Sequence, residues 1–322
     1  MQLNHFHSSC CRYASILIVL LIAGCNVSTI ETPDTHGDQY LIVLGIAQDA
    51  GFPQIGCDKE CCKPLWRQAT PGAFVVSLGL VDHVSQKKWL FECTPDIRPQ
   101  LHLFNEQAGF DGAAPDGIFL THAHMGHYSG LMHFGREAMG ASGIPVYVMP
   151  RFETFLRTNG PWDQLVALNN IAIHGIKADS AVVLSNGLRV TPLLVPHRDE
   201  YSETVGFRIV GANQSVLFIP DIDKWEHWSR QLRDEIALVD IALLDATFYA
   251  DGELEGRAMS EVPHPFVVET MEHLKDLSPE EKSKVHFIHF NHTNPLLRSD
   301  SVRSVVKAAG FNLAEQGQLF DL

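Results

Sequence analysis

Residues 122–127 read His-Ala-His-Met-Gly-His, three imidazoles directly after the apolar run 117–120. In an extended segment alternate side chains point the same way, so His122 and His124 face one point in space. His127 joins them from the first turn of a following helix. Neutral imidazole is the usual ligand of zinc, iron and similar borderline metals, at about 2.0–2.1 Å for zinc. A metal held in this way lowers the pKa of its water from 15.7 towards about 7 and polarises the oxygen under attack. A solvated surface cluster is the competing reading, and the apolar strand in front of His122 counts against it. Neither a Ser-His-Asp motif nor a Gly-rich phosphate loop after a strand offers another chemistry.

Such histidines must be held by a scaffold. Segments 40–46, 74–80, 88–92, 117–120, 146–149, 188–195, 205–210, 216–219, 241–244 and 285–288 are short and mostly apolar, which predicts strands. Segments 96–107, 224–238, 266–277 and 297–309 carry helical spacing. Adjacent strands early, then strands alternating with helices, fit an α/β (α+β) fold of two sheets between helical layers. Residues 39–322 show no internal repeat or linker and read as one domain.

The stretch around His122 resembles the metallo-β-lactamase superfamily, whose signature is His-x-His-x-Asp-His after a strand. The resemblance implies an αββα sandwich with a one- or two-metal site, and it points to further ligands in chain order. His197 in Val-Pro-His-Arg-Asp matches the next family histidine, Asp221 in Ile-Pro-Asp-Ile-Asp the carboxylate that bridges two metals, and His289 in Phe-Ile-His-Phe the last histidine. One departure is plain: the family aspartate falls on Gly126. The first site then keeps His122, His124 and His197 with Asp221, and the second only His127, Asp221 and His289. Two histidines with one carboxylate also resemble a non-haem iron set. Gly-Phe-Pro-Gln54, the segment Thr94–Gln100 and Asn291-His-Thr-Asn-Pro295 are similar to the branch of pyrroloquinoline quinone biosynthesis protein B.

Cys57, Cys61 and Cys62 follow the Gly-Phe-Pro-Gln loop, where related proteins carry a structural zinc. His292 is the candidate fourth ligand of such a tetrahedron, which would clip this loop to the last active-site loop. A disulfide involving Cys93 and free buried thiols stay open as alternatives. Asp245 in Leu-Leu-Asp-Ala-Thr either supports a metal-bearing histidine by a hydrogen bond or caps a helix. His264 either enters the substrate pocket or lies in a surface loop. Arg198 and Arg257 are candidates for meeting an anionic substrate; Asp49 and Asp223 receive no role, and Trp225–Trp228 packs or caps the domain.

The 322 residues hold 24 Lys+Arg against 38 Asp+Glu, a net charge of −14, which disfavours binding nucleic acid by phosphate neutralisation. Arg12 precedes the apolar run 14–22, followed by Ala23, Gly24 and Cys25. That pattern reads as a signal peptide over 1–24 with a lipobox, so Cys25 would be lipidated and 25–38 would tether an exported, membrane-anchored, periplasm-facing bacterial lipoprotein. An uncleaved anchor is the alternative. The chemistry expected is metal-dependent hydrolysis of a small ester, lactone, amide or phosphodiester, with Asp221 positioning the metals or the attacking water. One or two divalent ions serve it, zinc first with iron or manganese open, besides a separate structural zinc. Iron-dependent oxidation and a non-catalytic metal-binding lipoprotein are the rivals; oligomeric state is not legible.

Overall fold

The computed structural model describes residues 37–68, 72–185, 187–254, 256 and 258–322. The segment 1–24, Cys25 with most of the tether, and Arg257 lie outside the described residues. Among those described, no helix is long and apolar enough to cross a membrane.

The strands run in chain order β1 (Gln39–Gly45), β2 (Ser77–Asp82), β3 (Lys87–Phe91), β4 (Gly117–Phe119), β5 (Ile144–Val148), β6 (Ile171–Gly175) and β7 (Val182–Ser185). The second half supplies β8 (Leu188–Leu194), β9 (Val205–Val210), β10 (Ser215–Ile219), β11 (Ile241–Asp245), β12 (Val285–Ile288), β13 (Asn312–Leu313) and β14 (Leu319–Asp321). They form two mixed seven-stranded sheets, ordered β14-β1-β2-β3-β4-β5-β6 and β13-β12-β11-β10-β9-β8-β7. Helix α1 (Ile97–Ala108) and the short α2 (Met125–Tyr128) join α3 (Pro150–Thr158) and α4 (Trp162–Ala167) in the first half. The helices α5 (Leu232–Ala237), α6 (Val267–His273), α7 (Pro279–Ser283) and α8 (Asp300–Ala308) belong to the second.

Three apolar layers explain the sandwich. In β1, Leu41 and Val43 pack between the sheets while Tyr40, Ile42 and Leu44 face the helices of the first half. Both faces are buried, so the strand reads as an unbroken apolar run rather than an alternation. In α1, Ile97, Leu101, Phe104 and Ala108 repeat at helical spacing and form the face turned to the first sheet. Gly109 stops that helix at φ 67°, a left-handed cap that a β-carbon disfavours. The outer layer of the second sheet gathers Leu217, Leu244, Ile236 and Val267. The result is helix, sheet, sheet, helix.

Most expected elements form, with two physical corrections. The helix expected over 224–238 divides into a 3-10 turn (Trp225–His227) and α5, because Trp225 and Trp228 both turn into the core. Strands β6, β7, β13 and β14 escape the reading because they are very short or only partly buried and lack strong alternation.

A histidine in β12 gives the fold a pH dependence of its own. His286 packs edge-on to Phe320, its Nδ1 lacks a hydrogen-bond partner, and burial pushes its pKa down to about 4. The folded pKa lies below the unfolded value, so this stabilisation is complete above about pH 6.5 and is lost as pH falls towards 4. Between pH 7 and pH 5, His286→Phe should lose about 1–2 kcal/mol less than wild type in urea unfolding. Identical losses in the two proteins would count against burial of a neutral imidazole here.

Candidate metal centre

The strand ends deliver polar side chains to one rim. His122 and His124 follow β4, and His127 lies in α2; His197 follows β8, Asp221 follows β10, Asp245 ends β11, and His289 follows β12. Open α/β sheets place ligands at such carboxyl ends. His289 takes φ 68° and Glu92, just past β3, takes φ 72°; strain of this kind in non-glycine residues gathers at functional sites.

The donor atoms form two adjoining groups. In the first, Asp221 Oδ2 stands 3.3 Å from His122 Nε2, 3.1 Å from His197 Nε2 and 3.9 Å from His124 Nδ1. His197 Nε2 is 3.2 Å from His124 Nδ1. Four nitrogen or oxygen ligands at about 2.0–2.1 Å around a tetrahedral ion lie roughly 3.3–3.4 Å apart, so these edges fit a metal. In the second, Asp49 Oδ1 stands 3.1 Å from His127 Nε2 and 3.8 Å from His289 Nε2. Asp221 Oδ2 is 3.9 Å from His127 Nε2 and so adjoins both groups. Buried His122 Nε2, His127 Nε2, His289 Nε2, Asp49 Oδ1 and Asp221 Oδ1 have no hydrogen-bond partner, although buried polar groups nearly always have one. The donor set therefore fits divalent cations.

Outer partners aim the rings. The Nδ1 atoms of His122 and His289 lie 2.9 and 2.8 Å from the hydroxyls of Thr121 and Thr247. That of His197 lies 3.0 Å from Asp223 Oδ1, and that of His127 3.4 Å from Glu92 Oε1. A proton on Nδ1 of His122, His197 and His289 leaves the Nε2 lone pair pointing inward, as metal-binding histidines require, whereas His127 Nδ1 makes no hydrogen bond. His124 is turned the other way, with Nε2 3.5 Å from Glu200. Asp245 supports the centre through Thr247, whose backbone N–H and hydroxyl donate to Asp245 Oδ1 at 2.8 and 2.6 Å. It caps no helix. His264 is partly buried, 12% exposed, and turned into the centre: its Nδ1 lies 2.9 Å from Asp245 Oδ2 and 3.2 Å from Asp221 Oδ1. Burial alone would raise the Asp221 pKa, but His197 and then His264 outweigh it and hold the carboxylate ionised.

Sequence reasoning gave no role to Asp49, Asp223, Glu92 and Thr247, since each meets its histidine only through tertiary contact. In the second group the structure brings Asp49 Oδ1 closest to His127 and His289, with Asp221 Oδ2 farther away. Arg198, half exposed beside Glu200, is not brought into either group.

The cysteine cluster assembles beside the centre. Cys57 Sγ is 3.9 Å from Cys61 Sγ, and Cys61 Sγ is 3.8 Å from Cys62 Sγ. His292 Nδ1 lies 3.5 Å from Cys61 Sγ and 3.4 Å from Cys62 Sγ. A zinc with Zn–S of about 2.3 Å would set sulfur–sulfur edges of about 3.8 Å and sulfur–nitrogen edges of about 3.6 Å. Both adjacent thiols face the same point. The disulfide alternative fails, because all four described cysteines are free and Cys93 is buried in the core of the first sheet instead.

The fold and this rim define a class. Residues 87–289 match the family described as Beta-lactamase superfamily domain, and the chain belongs to that family. Within it, the chain is similar to the coenzyme PQQ synthesis protein B of Methylorubrum extorquens, with 24% identity covering 88% of this chain and 100% of the relative. The crystal structure of Zn(2+)-bound PqqB from Methylobacterium extorquens superposes with a TM-score of 0.72 at 23% identity, over 88% of this chain and all of that one. A diphosphatase from the PhnP family shares the fold with a TM-score of 0.59 at 23% identity, over 88% and 96% of the two chains. The donor groups and the zinc-bound neighbour together support binding of divalent metal.

Proposed function

We propose that this protein is a metal-dependent hydrolase acting on a phosphodiester or diphosphate. The observation that carries the reading is Asp221 Oδ2, which adjoins both donor groups. A carboxylate within reach of both donor groups would suit in-line displacement at phosphorus, where the attacking and leaving oxygens both need charge stabilisation. The fold shared with a diphosphatase supports the same substrate class. When bound, the cations supply Lewis acidity and an acidified water.

The chain's own residues do the rest. His122, His124 and His197 would hold one ion with Asp221, and His127 and His289 would face the second. Thr121, Asp223 and Thr247 fix three of the rings, so little reorganisation is needed during reaction. His264 lies between Asp245 and Asp221 Oδ1, which leaves Asp221 Oδ2 turned to the imidazoles. The Cys57–Cys61–Cys62–His292 group holds a structural zinc apart from the chemistry.

The test uses protein expressed from the full sequence and purified in detergent. Its metals are counted by plasma mass spectrometry, and hydrolysis of bis-p-nitrophenyl phosphate is followed beside nucleoside diphosphate, ester and lactone substrates. Stripping with dipicolinate should abolish phosphodiester or diphosphate cleavage, and added zinc or manganese should restore it. Folded, metal-free protein, or turnover indifferent to chelation, would defeat the proposal. A second reading rests on Asp49, His127 and His289, a two-histidine, one-carboxylate set of the kind that binds non-haem iron. It requires iron after anaerobic purification and oxygen uptake without phosphate release.

A further inference from the structure

Position 126 and Asp49 compete for one volume. A β-carbon built on Gly126 would lie 2.4 Å from Asp49 Oδ1, 2.5 Å from its Cα and 2.8 Å from its Cβ. No side chain fits beside Asp49, so the aspartate of the family signature is excluded here by another carboxylate that already fills its place. The local backbone explains how Asp49 arrives. After β1, Phe290 N–H donates to Ile46 O at 2.8 Å and Gln48 N–H to Phe290 O at 2.9 Å, so residues 46–48 run beside the residue that follows His289. Gly51 N–H closes a turn onto Gln48 O at 2.8 Å, with Asp49 inside it. Its Oδ1 then faces the Nε2 atoms of His127 and His289, both fully buried and both lacking hydrogen-bond partners.

From this exchange we infer that Asp49 is the missing carboxylate ligand of the second metal, delivered from the N-terminal loop instead of from position 126. The inference rests on the hydrolase reading and deepens it. The second site is then complete rather than weakened: Asp49, His127 and His289 with Asp221 shared. Its loading depends on a loop that the cysteine group also holds, because Cys57, Cys61 and Cys62 reach His292 three residues beyond His289.

The test compares wild type, Asp49→Ala, Asp49→Asn and Gly126→Ala, all full chain. The readouts are bound zinc by plasma mass spectrometry and affinity by chelator competition, independent of turnover. Asp49→Ala and Asp49→Asn should each lose one zinc equivalent, with affinity for that ion reduced at least about 100-fold. Gly126→Ala should lose the same equivalent, because its β-carbon would meet Asp49 Cα at 2.5 Å and displace the loop. Retention of the thiolate-bound zinc reports that each variant has folded. Unchanged loading in Asp49→Ala or in Gly126→Ala would overturn the inference while leaving the hydrolase reading standing. A wild type whose zinc count is untouched by His122→Ala would overturn both.

Discussion

Asp221→Ala is expected to lower phosphodiester turnover on the order of 10³-fold or more and to reduce the bound metal by at least one equivalent. The size of the effect follows from position. Asp221 Oδ2 is within 3.9 Å of nitrogens from His122, His124, His127 and His197, so one truncation removes a donor from both groups. The residue is only 3% exposed, so water replaces the lost oxygen poorly. Asp221→Asn separates charge from shape. It keeps an oxygen near the same place but removes the negative charge that offsets two cations, and turnover should stay within tenfold of the alanine variant. Plasma mass spectrometry beside initial rates decides the matter; a variant with wild-type metal content and rate would remove Asp221 from the mechanism.

The second large effect is expected at the thiolate cluster. Cys62→Ser should release one zinc equivalent and destabilise the protein by about 2–4 kcal/mol, read as a lower midpoint in urea. Cys62 is fully buried and faces both Cys61 and His292, so no solvent route compensates its loss. The small apolar cluster under it, Ala47, Phe52 and Ala73, is too limited to hold residues 52–62 alone. Because Asp49 belongs to the same N-terminal segment, the second ion of the main centre should also bind more weakly in this variant. Cys93→Ser is the control: that thiol lies in the helix-facing core of the first sheet, and its loss should cost packing without releasing metal. Equal zinc in the two cysteine variants would refute the clip.

The difference between these residues and Asp49 shows how far a chain can be read directly. His122, His124 and His127 declare themselves, because a two-residue period at a strand end is a local rule that brings imidazoles together whatever the rest of the chain does. Strands such as Val205–Val210 and Val285–Ile288 are equally local, since a short run of β-branched residues has few other uses. His197, Asp221 and His289 were legible through their order and their common setting after strands. The sandwich follows from the apolar runs that need cover on both faces.

Asp49, Glu92, Asp223 and Thr247 belong to the other class. Each acts on a histidine far away in sequence, through a backbone turn, a positive φ or a strand register that no short window contains. Gly126 read alone signals a missing ligand; beside Asp49 it becomes the space that admits one. His264 read alone is one more loop histidine, and only the closeness of β10 to β11 sets it between Asp221 and Asp245. The sequence by itself determined which side chains could bind a metal and which segments would become strands, because periodicity and side-chain chemistry are local properties. Which carboxylate completes each group, and which hydroxyl or acid aims each ring, was decided only when the two sheets packed and brought separate strand ends within a few ångströms of one another.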